Sequence, residues 1–126
     1  MISTLADLHT WSNALLAGTL LTPQLQAERL TFTYAVTDPL AFGYGLCIAD
    51  IGGVLGHSGG ILGYSTWMMQ DPATGITVVQ MTNFGSTLGD QGSTRLIARI
   101  LDLLLPDRGF SILLEELAGE AATPTP

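Results

Sequence analysis

Two strand-forming runs, Tyr64 to Gln70 and Ile76 to Thr82, flank the short loop Asp71-Pro72-Ala73-Thr74-Gly75, and this arrangement constrains the fold more than any other stretch of the chain. Tyr, Thr, Trp, Ile and Val suit a pleated, half-buried surface, and the loop carries turn residues, so the segment reads as a β-hairpin. A hairpin is antiparallel by connection. Whatever else the chain builds must extend or cover an antiparallel sheet.

Upstream lies the stretch Val54-Leu55-Gly56-His57-Ser58-Gly59-Gly60-Ile61-Leu62-Gly63-Tyr64, where a histidine and a serine sit inside a glycine cluster between apolar runs. Glycine has no Cβ and lets a backbone come close to something else, with a substrate as one candidate. The plainer reading is a glycine-rich hairpin whose His57 and Ser58 face water. Before it, Phe42 to Ala49 reads as a strand followed by a turn around Asp50 to Gly53. The alternation from Thr31 to Val36 predicts a strand with Phe32, Tyr34 and Val36 on one face, broken by Asp38-Pro39.

Helices flank these strands on both sides. Thr4 and Asp7 resemble a capping box, and Leu5, Leu8, Trp11 and Leu15 recur at helical spacing, predicting a helix over 5–17 stopped by Gly18. Thr22-Pro23 opens a short helix to about Glu28. After Asn83 and a Gly/Ser/Thr-rich link, Ser93 or Thr94 caps a helix carrying Leu96, Ile97, Ile100, Leu101 and Leu104, which Pro106 ends. Ser111 to Leu117 reads as one more helical turn. The class is α+β, an antiparallel sheet flanked by N- and C-terminal helices. One domain over 1–117 is expected, with 118–126 a disordered Thr/Pro-rich tail.

Charge and composition narrow the function. Four arginines, no lysine and eleven acids give a net charge of −7, leaving no basic stripe for nucleic acid. The absence of lysine rules out a P-loop lysine, a Schiff base or a lysine-activated serine within this sequence. Cys47 stands alone in an expected strand and reads as a buried, inert thiol; with His9 and His57 far apart, no metal site and no cofactor are expected. No apolar run is long enough to span a membrane, and the N-terminus lacks the pattern of a signal peptide, so the chain reads as soluble. Only 12% of residues are charged while 47% are hydrophobic. Against a usual charged share of about 25%, this implies apolar surface covered by a partner.

Gly56-His57-Ser58-Gly59-Gly60 satisfies G-x-S-x-G literally, which would make Ser58 the nucleophile of an autonomous esterase. That elbow needs a helix after it and a later histidine. The following segment reads as strand, and no histidine follows Ser58.

A second reading rests on resemblance. Tyr44-Gly45-Leu46, Gly56-His57-Ser58-Gly59-Gly60, Gly63-Tyr64-Ser65-Thr66 and the run from Ile76 to Asn83, preceded by Met1-Ile2-Ser3-Thr4-Leu5-Ala6-Asp7-Leu8 and Leu15-Leu16-Ala17-Gly18, resemble the C-terminal part of serine β-lactamase-related hydrolases. These include class C β-lactamases, D-Ala-D-Ala carboxypeptidases and related esterases, and the resemblance implies part of a β-lactamase/transpeptidase-like fold. His57-Ser58-Gly59 occupies that family's Lys/His-Thr/Ser-Gly triplet. The resemblance implies that His57 supplies a polar or cationic group, that Ser58 and Gly59 meet the substrate, and that the Gly60 amide forms half of an oxyanion hole.

The family's Ser-x-x-Lys and Tyr-x-Asn elements are missing, since Tyr34, Tyr44 and Tyr64 are followed two positions on by Val36, Leu46 and Thr66. The expectation is a C-terminal fragment of such a hydrolase, acting on β-lactam, D-amino peptide or ester acyl groups only when partnered. Its partner would be a missing N-terminal half or a second copy of itself. A catalytically silent, self-associating module is the alternative.

Overall fold

A computed structural model describes residues 2–35, 40–84 and 91–122. The elements run in the order α1 (Leu5–Leu16), α2 (Pro23–Arg29), β1 (Thr33–Tyr34), β2 (Phe42–Tyr44), β3 (Ala49–Ile51), β4 (Val54–Ile61), β5 (Tyr64–Gln70), β6 (Thr77–Thr82), α3 (Gly92–Leu104) and α4 (Phe110–Ala122). The strands form one antiparallel meander in sequence order. The α+β class and the β5–β6 hairpin are as the sequence predicts.

The pleat sorts the packing. Met69 joins Leu40, Val54, Val78, Ile97, Leu101, Leu105 and Phe110 in the main core beneath α3 and α4. Its neighbours Met68 and Gln70 point the other way by strand alternation, and there the Gln70 amide donates to Asn13 of α1 at 2.8 Å. The sheet is thus sandwiched, with α1 on one face and the α3–α4 pair on the other. Among the described residues no helix is long and apolar enough to cross a membrane.

Local chemistry sets the element ends. Thr4 and Asp7 make the full capping box, and Gly18 takes φ +69 after the Ala17 cap. The strand expected from Thr31 shrinks to Thr33–Tyr34, because Thr31 is used to close α2: its hydroxyl donates to the Ala27 carbonyl at 2.9 Å and its amide to Glu28 at 3.2 Å. Val36 and Asp38-Pro39 lie outside the described residues.

The single strand expected over 42–49 is instead two, β2 and β3, folded back at Gly45 to Ile48. The Gly45 amide closes that turn on the Ile48 carbonyl at 2.8 Å, and Cys47 takes φ 55. Cys47 is consequently exposed on the turn, not buried in a strand. The next turn is Gly52-Gly53, both at positive φ, while Asp50 belongs to β3. Its carboxylate accepts from the Gly53 amide at 2.7 Å and from the Tyr34 hydroxyl at 2.7 Å. The hydrogen bond to that carboxylate, with burial and its negative charge, pushes the Tyr34 hydroxyl above the usual tyrosine range.

At the C-terminal side, α3 starts at Gly92 without a side-chain cap, correcting the expected Ser93 or Thr94 cap. Ser93 is buried, and both its hydroxyl and its carbonyl accept from the Gln80 side-chain amide of β6. The single turn expected over 111–117 is the thirteen-residue α4, so 118–122 are helical where a tail was expected; 123–126 lie outside the described residues. Two contacts hold α4 in place. Phe110 is buried in the main core, and Arg95 of α3 donates to the Leu117 carbonyl.

Candidate functional site

The site is built on β4. Its first half is covered on both edges: Ala49, Asp50 and Ile51 of β3 pair with Gly56, Leu55 and Val54, while β5 pairs from Leu55 to Ile61. Beyond Gly56, β3 has ended. His57, Ser58, Gly59 and Gly60 run on as strand, paired to Met68, Trp67, Thr66 and Ser65 of β5, and all four are exposed. The four residues singled out by sequence are therefore brought together on one strand segment whose other edge β3 does not reach.

Why the strand can run on is clearest at Gly56. A Cβ there would collide with the Met68 carbonyl oxygen and crowd the Met69 sulfur. The glycine permits close approach of β5 immediately before the exposed segment. Gly59, by contrast, has nothing within 4 Å of where a Cβ would sit.

A cleft of about 210 Å³ opens at this point, lined by Phe42, Tyr44, Ile51, His57, Ser58 and Trp67 among others. Tyr44 reaches across the end of β3, and its hydroxyl lies 2.6 Å from His57 Nε2 with the rings edge-to-face at a 5.7 Å centroid separation. The other ring nitrogen, Nδ1, bonds the backbone carbonyl of Ser58, not its hydroxyl. That carbonyl thus has its bond outside the β4–β5 ladder, and by the two-residue period of a strand Gly60 directs its backbone to the same side.

Tyr44 is the residue that sequence reasoning left without a role. Its position depends on the β2–β3 turn, which the sequence pattern merged into one strand; only the register Tyr44 to Ala49 to Gly56 brings the phenol beside His57. His9 is exposed on α1, away from this segment. Trp67 packs against the main core, as a sheet aromatic is expected to. After Ser58 the chain continues as strand to Ile61 and turns into β5, so the helix required by a nucleophile elbow does not follow.

A larger cleft, about 350 Å³, opens beside Asp71 and Arg108. Asp71, Thr74 and Arg108 in its wall are already partnered with one another. Asp71 is fully buried and takes the Arg108 guanidinium at 2.6 Å, the Thr74 hydroxyl at 2.7 Å and the Ala73 amide at 3.3 Å. This is a structural clamp tying the β5–β6 turn to the 3₁₀ turn Pro106–Arg108.

Comparison with known proteins adds one match. The family model described as Beta-lactamase matches residues 1–102. No curated protein matches.

Proposed function

Because the chain belongs to the Beta-lactamase family, with the serine-hydrolase relationship this carries, we propose that it supplies the strand wall of an acyl-transfer site. The substrates of that site would be β-lactam, D-amino peptide or ester acyl groups. In this reading the Gly60 amide donates to the developing oxyanion, the Ser58 hydroxyl and Gly59 backbone meet the substrate, and His57 supplies the polar group beside the reacting centre. A strand edge suits this work, since its amides are held in place and need no reorganisation as charge develops. An extended peptide-like substrate would also pair along it.

The observation that carries the proposal is the segment from His57 to Gly60, which continues as strand past the end of β3 with His57 drawn to the cleft by Tyr44. The nucleophile would come from a Ser-x-x-Lys segment on another polypeptide or another part of a longer chain, because this sequence contains no lysine. The test is intact-mass measurement after incubation with a fluorescent penicillin. The chain alone is expected to stay unmodified, and co-expression with a Ser-x-x-Lys half from the family is expected to yield an acyl adduct on that half. An adduct on the chain alone that disappears in Ser58→Ala would overturn the proposal in favour of Ser58 as nucleophile.

A further inference from the structure

The two hydrogen bonds on the His57 ring decide where its proton sits. A carbonyl oxygen only accepts, so Nδ1, which faces the Ser58 carbonyl, must be the nitrogen carrying hydrogen. In the neutral ring Nε2 is then a bare acceptor, and the Tyr44 hydroxyl at 2.6 Å must donate to it. If the ring gains a proton, Nε2 becomes a donor, and the same hydroxyl can rotate to accept. Tyr44 therefore serves both protonation states without moving its ring. The Ser58 carbonyl serves both as well.

We propose that Tyr44 is a positioning residue for His57, holding the imidazole as its Nδ1–H tautomer and standing between Nε2 and anything that enters the cleft. With both nitrogens occupied, the lone pairs the pair presents outward are those of the Tyr44 hydroxyl oxygen. Tyr44 itself is 44% exposed. The inference rests on His57 being a working residue of the proposed site, where Tyr44 acts through the imidazole it holds.

The test needs neither substrate nor acylation. Proton–nitrogen NMR correlation spectra of the full chain, recorded where the imidazoles are neutral, report which ring nitrogen of each histidine carries hydrogen. His9, exposed on α1, provides the pattern of a solvated ring in the same sample. His57 is expected to show protonated Nδ1 and bare Nε2, and Tyr44→Phe, which removes only the donor, is expected to move His57 towards the His9 pattern. A wild-type His57 resembling His9, or a His57 signal unchanged in a folded Tyr44→Phe, would overturn the assignment. Should the variant not fold, a wild-type His57 without a protonated Nδ1 still overturns the assignment. A negative penicillin experiment leaves this result standing, and a negative tautomer result leaves the acylation reading untouched.

Discussion

The two ends of β4 are made of the same backbone and meet opposite fates. Val54 is fully buried in the main core and Gly56 is pressed against β5, whereas His57 to Ile61 are exposed. The difference comes from what lies on either side. The first half is flanked by both β3 and β5 and covered by the α3–α4 pair; the second half keeps β5 and loses β3. A strand can therefore be anchored at one end and carry exposed residues beyond the reach of β3 at the other, with its position set by the anchored end.

The contrast can be broken most severely at its boundary. Gly56→Ala places a methyl against the Met68 carbonyl and should force β4 and β5 apart, costing about 3 kcal/mol or more. Urea unfolding would register this as a lower midpoint. A midpoint unchanged from wild type would mean that β5 yields easily, and that the close approach is not what anchors β4.

The anchored side of the molecule also depends on the Asp71 clamp. Burial pushes the Asp71 carboxyl up, but the Thr74 hydroxyl, the Ala73 amide and the Arg108 guanidinium together outweigh it and hold the group below its ordinary range. A carboxyl depressed in the folded state contributes stability that is present above its unfolded value, about 3.9. This contribution is lost as pH falls from there through the folded pKa. Asp71→Asn should cost about 2–3 kcal/mol near neutrality, below the full penalty of a buried pair because Arg108 is a third exposed. Its acid unfolding profile should also be flatter than that of the wild type. Equal acid sensitivity in both proteins would place the titrating group elsewhere.

At the open end the expected effect is the smallest. Gly59→Ala meets nothing within 4 Å and should change stability by no more than about 0.5 kcal/mol. A loss comparable to that of Gly56→Ala would show that the open segment is packed after all. Paired with an acylation assay of the complemented enzyme, this variant separates backbone approach by substrate from backbone packing. Lower acylation at unchanged stability is what a substrate lying along this segment predicts.

Much of this was legible in the residues. Aromatic and β-branched runs on either side of Asp-Pro-Ala-Thr-Gly identify the β5–β6 hairpin, Thr4 with Asp7 identifies the start of α1, and His57-Ser58-Gly59-Gly60 singles out the segment that the fold leaves exposed. These signals are local, carried by residues within a few positions of one another. The β2–β3 turn escaped because Phe42 to Ala49 is continuous in strand-forming character apart from its glycines, and Cys47 gives no hint that it will adopt a positive φ. The length of α4 escaped because a small-residue helix draws its stability from packing of Phe110 and Leu117, which sequence periodicity over one turn cannot foresee.

What the sequence by itself determined is the chemistry on offer: an antiparallel sheet between helices, a glycine-bordered His-Ser pair, and no lysine with which to activate a serine. Tertiary structure decided where that chemistry is exposed and with what it is paired. β3 ends opposite Gly56, and this opens the strand; the register of β2 through β3 to β4 carries a tyrosine, distant in sequence, onto His57. Registers across three strands are set by hydrogen-bond ladders and core packing acting together, so a partnership that depends on them is written in no single stretch of the chain.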